Sequence, residues 1–168
     1  MIIIKTKRLY LRELVPTDKT ELAKVLSDPE SMQYYPAPFT DTKVDNWINW
    51  NIENYCKYQH GLWAVIKKDG DEFIGDCGIT MQDINGEIVP EIGFHIIKEF
   101  CNQGYATEAA QACKEYAFEV LKYPKVYSYT IEQNIPSQGV AKKIGLKFEK
   151  SYSESGETHI VHAAIKND

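Results

Sequence analysis

The chain has 168 residues, enough for one core that buries about two-thirds of its unfolded surface. Its composition, 43% hydrophobic and 26% charged, is that of an ordinary globule. A net charge of −5 argues against nucleic acid as the main ligand, because proteins that track phosphate backbones carry a basic face.

Residues 2–14 carry an apolar, partly alternating pattern, with Leu9 and Leu11 set against Arg8, Tyr10 and Arg12, which predicts an opening strand. Charge follows the apolar residues there, the wrong order for a secretory leader, so a cytoplasmic protein is expected. No run approaches the ~20 apolar residues of a membrane span. Pro16-Thr-Asp18 predicts a turn and a helix start, with Leu22, Val25 and Leu26 on one face as far as Asp28-Pro29. Tyr34-Tyr-Pro-Ala-Pro-Phe39 reads as a stiff aromatic loop. Asp41 or Thr42 is placed to cap a second helix that buries Val44, Trp47, Ile48 and Ile52.

Leu62–Ile66, Phe73–Met81 and Ile88–Ile97 read as strands joined at Asp69-Gly70 and Asn85-Gly86, hence an antiparallel meander. A helix from about Tyr105 to Leu121 sets Ala106, Ala109, Ala110, Cys113, Ala117, Val120 and Leu121 on one stripe, whose small residues let its axis approach a sheet. Val126–Ile131 is the next strand. A short helix follows Asn134-Ile-Pro136, with Val140, Ala141 and Ile144 inward and Gly145 as its stop. Leu146–Tyr152 and His159–Ile165 make a closing hairpin. The order predicts one α+β domain over 1–168, with a mostly antiparallel sheet of six to seven strands and about four helices. The crossover between Ile97 and Val126 supplies one parallel pair.

Cys56, Cys77, Cys101 and Cys113 form no CxxC pair, so free thiols are expected rather than disulfides or a metal site. His159 and His162 lie three apart in a predicted strand and face opposite ways, which also argues against a metal.

The segment from Ile92 to Glu108 is the most informative. An apolar strand runs into a polar turn, Cys101-Asn-Gln-Gly104, and then into the alanine-rich helix. Gly104 takes positive φ cheaply and Asn102 is the next most tolerant residue. The N–H groups from Gln103 to Thr107 would then line an anion site at the positive end of a helix. No Gly-Lys-Ser/Thr is present, nor three glycines at dinucleotide spacing, so neither nucleotide loop fits.

Gly104-Tyr-Ala-Thr-Glu-Ala109, Asn134-x-x-Ser137 with Lys143-Ile-Gly145, Thr6-Lys-Arg8-Leu-Tyr-Leu-Arg12 and Glu91-Ile-Gly-Phe94 occur in order along nearly the whole chain. Together they resemble the GNAT superfamily of N-acetyltransferases, in the subgroup similar to ribosomal-protein N-terminal acetyltransferases. The resemblance implies a GNAT-like (acyl-CoA N-acyltransferase) fold, acetyl-CoA as co-substrate, an amine acceptor and no metal. It places the pantetheine arm on the backbone of Phe94, His95 and Ile96, whose N–H groups would also polarise the thioester carbonyl. It sets the pyrophosphate on Gln103, Gly104, Tyr105, Ala106 and Thr107, and a pantetheine amide on Asn134. The chain departs from the family at Cys101 and Asn102, where arginine, glutamine or tryptophan and then glycine are usual. It departs again at Ala141, where many relatives carry the tyrosine that protonates the leaving thiolate. Ser137 is the substitute acid, or else a helix-start hydroxyl bonded to its own backbone.

Acyl transfer needs a neutral amine, which a general base assists. Glu91, often glutamate in the family, is the first candidate for that base, with a pKa raised by partial burial; the alternative is a solvated strand end. His95 has the same parity and can serve instead unless a bulge turns it. Cys101 has no assignable histidine partner, so a nucleophilic role is not expected. Glu108 in the helix's first turn complements the dipole. Tyr34, Tyr35, Phe39, Trp47 and Trp50 are expected around the acceptor pocket. The leading expectation is an N-acetyltransferase acting on a peptide N-terminus or a small amine in a ternary complex. A non-catalytic acyl-CoA-binding module is the alternative. Neither nucleic acid nor membrane is an expected partner, and the oligomeric state stays open, a homodimer included.

Overall fold

The computed structural model describes residues 1–167. The run expected as one opening strand is two, β1 (Ile2–Lys5) and β2 (Leu9–Arg12), paired antiparallel across Thr6-Lys7-Arg8. That turn contains no Gly, Pro or Asn. It closes through Thr6, whose N–H donates to the Leu9 carbonyl at 2.9 Å and whose Oγ1 accepts the Leu9 N–H at 3.1 Å.

A 3-10 turn over Pro16–Asp18 leads into α1 (Lys19–Leu26). Thr40, rather than Asp41 or Thr42, caps α2 (Asp41–Tyr58): its hydroxyl accepts the Lys43 N–H at 3.2 Å. The meander forms as expected from β3 (Leu62–Lys67), β4 (Glu72–Ile84) and β5 (Glu87–Ile96). Asn85 and Gly86 both have positive φ, as a two-residue hairpin turn requires. Then follow α3 (Tyr105–Glu119), β6 (Lys125–Ile131), α4 (Ile135–Lys143), β7 (Lys147–Glu154) and β8 (Glu157–Ile165). The sheet has eight strands in the order β1-β2-β3-β4-β5-β6-β8-β7, more than the six to seven expected because the first run folds back on itself.

Strand alternation sends side chains to two cores. Leu9, Leu11, Trp63, Val65, Cys77, Ile79 and Ile92 pack under α3 and α4. Ala64, Ile66 and Phe73 pack on the opposite face against Leu22, Leu26, Val44 and Ile48 of α1 and α2. The alanine stripe of α3 is buried at Ala109, Ala110, Cys113 and Ala117, but Val120 is 58% exposed because the helix stops at Glu119. All four cysteines are free, and the Sγ atoms of Cys77 and Cys113 lie 3.7 Å apart in the core.

Two glycines of β4 let backbones meet closely. A Cβ on Gly78 would stand 2.0 Å from the Gly61 carbonyl oxygen, and one on Gly75 2.0 Å from that of His95. Backbone cannot swing aside as a side chain can, so Gly78→Ala is expected to cost about 1–3 kcal/mol. Gly139, inside α4, has nothing within 4 Å of its Cβ position. Gly139→Ala is expected to add about 0.5–1 kcal/mol. Chemical denaturation without ligand checks both; equal effects would contradict the packing assigned here.

Candidate active site

Strand register decides which backbone groups are free. The Ile97 N–H donates to the Ile74 carbonyl at 2.8 Å, and β4 and β5 stay in unbroken register from Gly75–Ile96 to Ile84–Glu87. Antiparallel pairing alternates, so Glu91, Gly93 and His95 spend their N–H groups on β4, while Ile92, Phe94 and Ile96 turn theirs away. The side facing away belongs to β6. These two strands run parallel and share a single bridge, Glu91 with Tyr127, beyond which they part. Of the three residues expected to offer backbone groups, Phe94 and Ile96 therefore do so. His95 does not: its backbone is committed to β4 and only its side chain is available.

Two cavities open along this parting. The larger, about 740 Å³, is lined by Phe94, His95, Ile96, Gly104, Tyr105, Ala106, Thr107, Asn134 and Ser137, together with residues of the 30–35 segment. The smaller, about 370 Å³, reaches Glu91, Tyr129, Glu157 and His159. Tyr34, Tyr35, Phe94, His95 and Ser137 line both and so mark where the cavities meet. Trp47 lines the smaller cavity; Phe39 and Trp50, expected there, instead pack on Trp47 with ring centroids 5.4 and 5.2 Å away.

At the loop, Gly104 (φ 83) caps α3 in the left-handed region, and Asn102 (φ 61) lies there too. The first helical bond runs from the Glu108 N–H to the Gly104 carbonyl at 3.0 Å. The N–H groups of Tyr105, Ala106 and Thr107 precede it and have no protein acceptor among the described residues. Gln103 lines neither cavity: its side chain folds back to the Glu99 carbonyl and its own carbonyl accepts from Arg8. Cys101 lines the larger cavity, but burial pushes its thiol up, the wrong direction for a nucleophile.

Asn134 caps α4, its Oδ1 accepting the Ser137 N–H at 3.2 Å, which leaves Nδ2 as its free group. The Ser137 hydroxyl has no protein partner among the described residues, so it is not the self-bonded helix-start hydroxyl. Ala141 is buried in the core.

Glu91 is not a solvated strand end. It is 8% exposed, and burial holds its carboxyl well above the ordinary range, against the Tyr129 N–H directed at it. That amide belongs to the diverging part of β6. Gly93 lies two residues on along the same face, its Cβ position at an ordinary contact distance of 3.4 Å from Glu91 Oε1.

His95 faces the same way with no bulge between. Its direct cross-strand neighbour is Asp76, fully buried, and Nδ1 meets Asp76 Oδ1 at 2.8 Å. Trp47 Nε1–H donates to Asp76 Oδ2 at 3.1 Å. Nε2 of His95 lies 3.3 Å from the Tyr35 hydroxyl, which burial pushes up and so keeps protonated. With a hydrogen on Nδ1 for the carboxylate, Nε2 carries the lone pair, at the meeting of the two cavities. Sequence reasoning missed Asp76. The available signal was an acid inside the apolar run Phe73–Met81, where an unpaired charge is not tolerated. Among the described residues no group of three His, Cys, Asp or Glu is placed to hold a metal, and no helix is long and apolar enough to cross a membrane.

This site sits in a recognisable protein class. The acetyltransferase (GNAT) domain matches residues 8–147. The chain belongs to the GNAT family, and its class is that of acetyl-CoA-dependent N-acetyltransferases. An uncharacterized N-acetyltransferase of Bacillus subtilis, YnaD, is 36% identical over 147 residues, 87% of this chain and 83% of that one. A GNAT-family acetyltransferase from Bacillus anthracis superimposes with TM-score 0.85 at 27% identity, covering all of both chains. A ribosomal L7/L12 α-N-protein acetyltransferase in complex with coenzyme A shares the fold, with TM-score 0.80 at 18% identity over 98% of each chain.

Because the folded-state pKa of Glu91 lies above its unfolded value, the folded chain holds the extra proton between the two. Stability therefore falls as pH rises through that window. Glu91→Gln removes this loss. Its Tm advantage over the parent is expected to be nil near pH ~3, below both pKa values, where both states of the parent are protonated, and to grow as pH is raised. A difference independent of pH in thermal melts would contradict the buried neutral carboxyl.

Proposed function

We propose that the chain transfers the acetyl group of acetyl-CoA to a primary amine by direct attack, with His95 as general base. The observation that carries this reading is His95 itself. Its Nε2 stands where the two cavities meet, and its Nδ1 is fixed by a buried carboxylate. Acetyl-CoA would occupy the larger cavity, its diphosphate on the N–H groups of 105–107 and its pantetheine along Phe94 and Ile96, with Asn134 Nδ2 donating to an amide carbonyl. The amine would enter through the smaller cavity. No lysine or arginine lines that cavity, whereas Glu157 and the rings of Tyr34, Tyr35, Trp47 and Tyr129 do, which suits an acceptor that arrives as a cation.

The ammonium first loses one proton to solvent; His95 Nε2 then takes a second from the neutral amine as its nitrogen attacks the acetyl carbon. The Phe94 N–H, unpaired towards β6, is available to the developing oxyanion. The C–S bond then breaks, Ser137 hydrogen-bonds the departing sulfur, and the proton held by His95 passes to the thiolate. Glu91, kept protonated by burial, has no free base form to offer and serves as a hydrogen-bonding wall of the acceptor cavity. An α-amine, with a pKa of ~7.7–8.0 against ~10.4 for a lysine-type amine, asks least of such a base. Peptide N-termini and small α-amines are thus the acceptors to test first.

The test is release of free CoA from acetyl-CoA mixed with a panel of peptides and small amines. His95→Gln is expected to lower kcat/KM by about 10²–10⁴-fold with the acetyl-CoA Kd little changed. Ser137→Ala should cost less, because a thiol of pKa ~8.5 already leaves tolerably. Full activity in His95→Gln would remove it as the base. Tight acetyl-CoA binding with no turnover of any amine would favour a non-catalytic acyl-CoA-binding module, the reading that Ala141 supports.

A further inference from the structure

A carboxylate in the first turn of α3 is a liability if that helix end binds a diphosphate. Glu108 carries such a group four residues after Gly104. The charge is consumed elsewhere. Glu108 Oε2 accepts the Thr6 hydroxyl at 2.6 Å and the Arg8 N–H at 2.9 Å, while Oε1 accepts Arg8 Nε at 2.7 Å. Burial alone would raise this carboxyl, but the bonds from Thr6 and Arg8 outweigh it and hold it below its ordinary range.

The same guanidinium reaches the loop. Arg8 Nη1 donates to the Gln103 carbonyl at 3.0 Å, its Cζ lies 4.2 Å above the Tyr105 ring centroid, and Nη2 is 3.3 Å from the Cβ position of Gly104. One side chain thus touches residues 103, 104 and 105 and is anchored to 108, across the turn whose left-handed residues aim the free N–H groups. An isolated exposed ion pair contributes little. Here the planar fork, a carbonyl and an aromatic face are engaged together, which lysine cannot reproduce.

We propose that Arg8 is a positioning residue for the diphosphate cradle. Its guanidinium locks the 102–105 turn, and its pairing with Glu108 withdraws a negative charge from the anion site. The assignment rests on the coenzyme A reading of the larger cavity. It predicts a defect confined to ligands that carry the diphosphate.

The experiment compares calorimetric binding of CoA and of pantetheine, and kinetics with acetyl-CoA and with S-acetylpantetheine, in the parent, Arg8→Gln and Arg8→Lys. Arg8→Gln is expected to weaken CoA binding and raise the KM for acetyl-CoA by about 10–100-fold, the scale of lost charge-assisted bonds. kcat and both pantetheine-based ligands should be unaffected. Arg8→Lys, which keeps the charge but loses the fork, should show a smaller defect of the same selectivity, and it carries the test if Arg8→Gln fails to fold. Equal losses for CoA and pantetheine in the folded variant, or no loss for either, would overturn the Arg8 assignment alone. A parent protein that binds no CoA would remove the cavity reading and this assignment with it.

Discussion

The parting of β5 from β6 after the Glu91–Tyr127 bridge is the constraint on which the rest of the site depends. In a closed parallel pair the backbone groups of Phe94 and Ile96 would be spent on β6 and no cavity would exist between the strands. An open pair costs unpaired amides and carbonyls. The Tyr129 N–H that β5 no longer meets lies towards the Glu91 carboxyl, whose charged form it favours.

From that gap the labour divides by sheet face. Alternation along β5 sends Phe94 towards α3 and sends Glu91, Gly93 and His95 towards the side of α2. There Trp47 and Asp76 hold the imidazole. The loop after β5 then turns onto the N-terminus of α3, so a single stretch of chain supplies free strand amides, a fixed imidazole and a helix-end anion cradle. Residues 34 and 35 reach across and close the meeting of the two cavities. A slip in the register of β4 against β5 would separate Asp76 from His95 and would also displace core residues such as Ile79 and Ile92.

Local features were legible in the sequence and long-range pairings were not. The positive φ at Asn102 and Gly104 follows from residue type alone, as does the Asn85-Gly86 hairpin. The first hairpin escaped notice because Thr6-Lys7-Arg8 closes through a threonine hydroxyl rather than a glycine or asparagine. Asp76 looked like an interruption in an apolar run. Its meaning appears only with the register that sets it opposite His95, nineteen positions on. Glu91 was readable as a polar strand residue, but its burial depends on the divergence of β6, which no local pattern encodes. Arg8 and Glu108 were read separately, as a strand residue and a dipole partner, although they lie a hundred residues apart in one ion pair.

Amide hydrogen exchange along β5, with and without coenzyme A, tests the open strand pair most directly. The account predicts that the amides of Gly93 and His95 are protected in both states. Those of Phe94 and Ile96 should exchange readily in the free protein and slow on addition of coenzyme A. Strong protection of Phe94 and Ile96 in the free protein, or exchange there that coenzyme A leaves unchanged, would contradict it.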